Sequence, residues 1–161
     1  MEKISRILPT NRKMYFSFVI KGVMPKKDIY HNTVVQALIN DGWEITHDPL
    51  WLSYGGRNIY VDIGAEQPIG LEKEGVKIAV EIKSFIGASD VHELGLCIGQ
   101  YSIYRNILAE IEPERVLYLA VPSYSYYGIF QEPIGQLMIS RERLKLIVFD
   151  EIGEKIRQWI H

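Results

Sequence analysis

A single cysteine, Cys97, has no partner in the chain, so no intramolecular disulfide holds the protein together. The stapled scaffolds of small secreted proteins are excluded with it. Four scattered histidines, with no Cys–His spacing around them, exclude a zinc-finger type of site. No apolar run reaches the length of a membrane span, since Met14 to Ile20, the longest near the N-terminus, is interrupted by Ser17. That run follows Arg12-Lys13, but no small-residue cleavage site comes after it, so no signal peptide is expected and the expected location is the cytoplasm. Internal repeats and low-complexity tracts are also missing.

What is present is enough for one core: 161 residues, 47% hydrophobic and 24% charged, fit a single globular domain rather than a disordered chain. The net charge of −2 hides an asymmetry, because residues 1–27 carry seven Lys/Arg against one Glu and the remainder is acidic. An acidic domain binds polyanions poorly unless a local basic surface, a metal or a partner intervenes. Residues 1–24 are read as a basic extension outside the domain, with Met24 a natural alternative start, and residues 25–161 as one domain.

Apolar spacing predicts a helix over Asp28–Asp41, with Val34, Val35, Leu38 and Ile39 as its stripe and Gly42 ending it. Strands follow at Trp43–Thr46, Asn58–Ile63 and Lys77–Phe85, with a turn at Asp48-Pro49 and a Gly/Pro-punctuated connection running through Gly75. Asp90–Ile111 is a long helix whose Leu94, Cys97, Tyr101, Tyr104, Leu108 and Ile111 share a buried face. Pro113 stops it, and Val116–Val121 is a buried strand. Residues 123–131 read as Tyr-rich and irregular, Pro133–Ser140 as a short helix, Leu144–Phe149 as a strand and Glu151–Ile160 as a closing amphipathic helix. The order defines an α/β fold, a mixed central sheet flanked by helices.

One strand raises a chemical question. In "VEIKSF", Glu81 and Lys83 interrupt an apolar run, and Asp62 does the same in "YVDIG". Alternation puts Glu81 and Lys83 on one face with Ala79. If the strands pair, Asp62 converges on Glu81. Two carboxylates in a partly dehydrated site repel each other, and a hard divalent cation relieves that repulsion. Oxygen ligands suit Mg²⁺ or Mn²⁺. A nearby lysine can hold a nucleophilic water or offset charge on a phosphoryl oxygen. On the next helix Gln100 and Tyr104 lie one turn apart on one face. A bare Glu-x-Lys in a strand is usually a surface ion pair; the apolar setting and the Asp-x18-Glu-x-Lys spacing argue for more.

The set Asp62, Glu81-x-Lys83 and Gln100-x3-Tyr104 resembles the PD-(D/E)xK nuclease superfamily, in its RecB-like branch. More closely, "KKDIYHNTVVQALINDGWEITHDPL", "PERVLYLAVP", "FQEPIGQL" and "LKLIVFDE" resemble XisH-type proteins, excision controlling factors for the fdxN element of cyanobacteria. The resemblance spans residues 25–160 and implies a restriction-endonuclease-like fold. It implies a role in DNA element excision during heterocyst development, with DNA, a site-specific recombinase and an XisI-type companion as partners. It assigns Asp62 and Glu81, with the Ile82 carbonyl, as ligands of Mg²⁺ or Mn²⁺. Lys83 orients the water, and Gln100 and Tyr104 brace the site and contact the backbone of the nucleic acid. The superfamily's acid on the first helix has no direct counterpart; that region offers Asp28 and His31, with His31 either a substitute ligand and proton shuttle or a capped histidine. The competing reading is a non-catalytic accessory protein that binds the companion, the recombinase or DNA, and a homo-oligomer fits either. Among other stretches, "SYGGRN" reads as a turn rather than a phosphate cradle, and "SYSYYG" suits base stacking or a protein interface equally.

Overall fold

The computed structural model describes residues 26–67 and 75–161. The basic extension and most of the connection before Gly75 lie outside the described residues. In chain order the elements are α1 (His31–Asn40), β1 (Glu44–His47), β2 (Leu50–Tyr54), β3 (Arg57–Val61), β4 (Ile63–Gln67), β5 (Val76–Ile82), α2 (Asp90–Ile111), β6 (Arg115–Pro122), α3 (Ser123–Tyr127), a 3₁₀ turn at Ile129–Gln131, α4 (Pro133–Glu142), β7 (Leu146–Phe149) and β8 (Ile156–Ile160).

Six strands form one sheet in the order β1-β4-β5-β6-β7-β8, and β2-β3 is a separate hairpin. β5, β6 and β7 run parallel and are buried on both faces, hence their near-continuous apolar sequences; β1, β4 and β8 join antiparallel. The fold is thus the expected mixed α/β sheet flanked by helices.

The alternation inferred for β5 divides two cores. Ala79 packs with Leu94, Cys97, Tyr101, Tyr104 and Leu108 of α2 on one face. Ile78, Val80 and Ile82 pack with Val34 and Leu38 of α1 on the other. The α2 stripe is buried as expected except Ile111, which is 39% exposed at the helix end. Likewise Ile39 of α1 faces outward. Gly42, at φ 90°, ends α1 in a conformation glycine adopts without steric cost. Ser89 caps α2 by accepting the His92 N–H at 3.3 Å.

Three expectations are corrected. Residues 151–160 are not a helix: they form a turn and strand β8 on the edge of β7. The Asp150 carboxylate accepts the Ile152 and Gly153 N–H groups at 3.0 and 2.8 Å and pairs with Arg157, so the chain turns where a helix would begin. The apolar residues that gave a helical spacing instead place Trp159 edge-on against Tyr118, 5.0 Å between centroids. The strand Asn58–Ile63 breaks at Asp62 and resumes to Gln67, and Leu50–Tyr54 is a strand that the sequence reading left out. Gly55 and Gly56, at φ 56° and 77°, join β2 to β3 in a tight hairpin, so "SYGGRN" is indeed a turn. Finally, residues 123–131 are ordered as α3 and the 3₁₀ turn, not irregular.

Candidate functional site

The break at Asp62 builds the site. Val61 still pairs with Leu50 in the hairpin, and Ile63 already pairs with Val80 in the main sheet. Asp62 belongs to neither ladder. Its side chain takes the place of a backbone acceptor, and its Oδ2 receives the Ile82 N–H at 2.8 Å. Lys83 N–H addresses β6 through the Ala120 carbonyl. Amide direction alternates along a strand, so the N–H and C=O of Ile82 both face the Asp62 side.

Asp28, Asp62, Glu81, Lys83, Gln100 and Tyr104 line one cleft of about 530 Å³ at the C-terminal end of β5. Glu81 is 8% exposed, and its Oε2 is buried with no hydrogen-bond partner. Burial, then the charge of Asp62, pushes its carboxyl up to about 9. Burial also raises Asp62, against the Ile82 hydrogen bond. Asp28 holds two strands of chain together: its Oδ1 accepts the Tyr30 N–H and its Oδ2 the Ser84 N–H, at 2.9 and 3.0 Å.

Lys83 does not point freely into the cleft. Its Nζ lies 2.9 Å from Glu93 Oε2, in the first turn of α2. Sequence reasoning passed over Glu93, because an acid in a first helical turn normally complements the helix dipole. Gly87 leaves room for it: a Cβ there would sit 2.3 Å from Glu93 Oε1. Gln100 Nε2 donates to Tyr104 Oη at 3.4 Å. Burial, then the Glu81 charge, pushes the Tyr104 phenol up to about 12, so it stays a donor.

His31 does not line this cleft but an adjoining cavity that Asp62 also lines. It is 3% exposed, and its Nε2 is 2.9 Å from Asp48 Oδ1, with Lys27 Nζ at 3.2 Å. Burial works to raise Asp48, but hydrogen bonds from His31 and Lys27 outweigh it and hold the carboxyl below its usual range. Asp28 thus lines the cleft with Asp62 and Glu81, while His31 meets Asp62 from the other side, in a small adjoining cavity with Asp48 and Tyr60. Among the described residues no three His, Cys, Asp or Glu side chains come close enough together to hold a metal ion. No described helix is long and apolar enough to cross a membrane.

Fold and cleft define the class: an α/β protein whose central strand delivers a buried carboxylate and a lysine to an acidic cleft at its C-terminal end. The chain belongs to the XisH family, whose model, described as XisH protein, matches residues 24–157. It is similar to the crystal structure of an XisH family protein from Nostoc punctiforme, with 44% identity and a TM-score of 0.76, over 83% of this chain and 100% of that one. It is also similar to the crystal structure of an fdxN element excision controlling factor protein from Anabaena variabilis, with 43% identity and a TM-score of 0.75, over 84% and 100%. A comparison with curated proteins finds no match.

Proposed function

We propose that this chain controls excision of a DNA element and that its cleft is a metal-dependent endonuclease site of the PD-(D/E)xK kind. The first half is supported by the Anabaena variabilis relative, described as an fdxN element excision controlling factor. The second half rests on one observation: the Glu81 Oε2, buried and without a partner, lies beside Asp62 in the cleft. A buried acceptor left unpaired costs free energy, and a cation would satisfy it.

The donor set fits Mg²⁺ or Mn²⁺: Asp62 and Glu81 carboxylates and the Ile82 carbonyl, with water oxygens completing the shell as magnesium prefers. Bound there, such a cation would polarise a phosphoryl oxygen and acidify a water. The chain's own residues supply the rest. Glu81 and Asp62 offer their oxygens once deprotonated. Lys83 exchanges Glu93 for the attacking water or a phosphoryl oxygen. Gln100 and Tyr104 donate hydrogen bonds to backbone phosphates of the DNA.

The test is a calorimetric titration with Mn²⁺ and Mg²⁺ of the protein and its Glu81→Ala variant, followed by a metal-dependent plasmid-cleavage assay. Saturable binding and cleavage, both lost in Glu81→Ala, are expected; cleavage unchanged in that variant refutes the site. A second reading is favoured by the Lys83–Glu93 pair, which already engages the lysine's charge at the cleft wall. There the chain is a non-catalytic accessory protein that binds an XisI-type companion, the recombinase or DNA. It predicts a complex that survives both Glu81→Ala and Lys83→Ala.

A further inference from the structure

α2 separates two cavities. Gln100 and Tyr104 face the acidic cleft, while Tyr101, Arg105 and Leu108 of the same helix face a second cavity of about 600 Å³. Arg105, Arg115, Arg141, Arg143 and Lys145 line that second cavity, and no Asp or Glu does. Five cations around one space are unexpected in a domain that is otherwise acidic. The remaining wall is apolar, from Leu108, Ala109, Pro113, Val116 and Leu117.

Ordinary structural roles account for only some of these charges. Arg115 is spent internally: it pairs with Glu112 at 2.7 Å and donates to the Ile78 carbonyl at 3.0 Å. Arg105 lies over the Tyr101 ring, 5.7 Å from its centroid, and caps α4 by donating to the Glu142 carbonyl. Arg141 sits in the last turn of α4, where a cation complements the dipole. Arg143, the C-cap of α4, lies at that same helix end, and no such role explains Lys145. Among the described residues neither has a carboxylate within ion-pair distance, and Arg105 and Arg141 have none either. Arg143 also adopts φ 50° at the end of α4, a left-handed position that glycine would fill at less cost. Arg141 and Arg143 are exposed at the rim and Lys145 is half-buried, so water screens their charges in part, and an anion bound among them would offset the rest.

We propose that this cavity binds a small phosphorylated anion, either a free polyphosphate or the phosphate end of a nucleotide. Arginine forks match phosphate oxygens in geometry and charge. The volume is that of a small-molecule pocket, and the apolar wall would cover a base or ribose edge. The site is independent of the cleft: Glu81 is level with Leu119, four residues along β6 from Arg115, or about 13 Å.

The test is a calorimetric titration of the full chain with pyrophosphate and, separately, ATP, with EDTA present so that no divalent cation contributes. Arg141→Gln/Lys145→Gln is the informative variant, because it leaves the Arg143 backbone and buried Arg115 untouched. Saturable binding is expected, about tenfold weaker in that variant, weakened by added salt, and retained in Glu81→Gln. Tighter binding of ATP than of pyrophosphate would show that the apolar wall takes part. Three results overturn the proposal: no binding of either anion, binding indifferent to the double substitution, or binding of a single-stranded oligonucleotide alone.

Discussion

Glu81 is the residue on which most of the chemistry turns, and its protonation sets a measurable pH dependence. A carboxyl raised from its ordinary 4.5 to about 9 takes up a proton on folding throughout that interval. The folded state then binds more protons than the unfolded one, so stability is greatest below pH 4.5 as far as this group is concerned and falls as pH rises toward 9. Thermal unfolding of Glu81→Gln should therefore depend less steeply on pH between 5 and 9. At pH 8 the variant should be more stable than the parent, because the parent must take up a proton from solution on folding and the amide need not. A parallel pH slope in both proteins would show that Glu81 is solvated after all. The same protonation makes Mn²⁺ binding release a proton. Affinity should rise with pH up to about 9, and the observed heat should change with the ionisation enthalpy of the buffer. Asp62 and Glu81 were legible as candidates because carboxylates in apolar strands are anomalous. Glu93 was not, because its significance comes from Lys83 reaching it across the loop between β5 and α2.

At the scale of elements, the hairpin and α4 carry the sharper tests. Gly55 and Gly56 hold positive φ at the turn that sets the β2–β3 register, and that register fixes where Asp62 leaves the hairpin. Gly56→Ala should cost about 1–2 kcal/mol in urea unfolding and weaken Mn²⁺ binding as Asp62 loosens. Gly135 is a packing requirement: a Cβ there would lie 2.1 Å from the Ile129 carbonyl, between α4 and the 3₁₀ turn. Gly135→Ala should destabilise by about 1–3 kcal/mol; equal unfolding midpoints would mean that α4 shifts freely. Two elements escaped the sequence reading for different reasons. The β2–β3 hairpin has a local signal, Gly-Gly between apolar runs, which reads as a turn but does not by itself show that Leu50–Tyr54 pairs across it. β8 has no such signal, since Ile156, Trp159 and Ile160 fit helical spacing, and only the open edge of β7 makes them a strand.

For the molecule as a whole, ligand binding links the two cavities to global stability. A cation bound only by the folded chain, at about a hundred times its Kd, adds about 2.7 kcal/mol to unfolding. That gain should appear with Mn²⁺ in the parent and vanish in Asp62→Asn, as read by thermal unfolding; a gain that persists in the variant places the cation elsewhere. The α/β class, the two apolar faces of β5, the long helix and the set of Asp62 with Glu81-x-Lys83 are readable from the sequence, because local periodicity and misplaced charge are written residue by residue. Which groups meet is a property of the tertiary structure: Asp28 at the cleft with His31 behind Asp62, Glu93 on Lys83, and around one cavity four cations from α2, the end of α4 and the residue before β7 that have no carboxylate partner among the described residues. Those meetings join residues tens of positions apart, and no local pattern encodes the crossings of the sheet that bring them together.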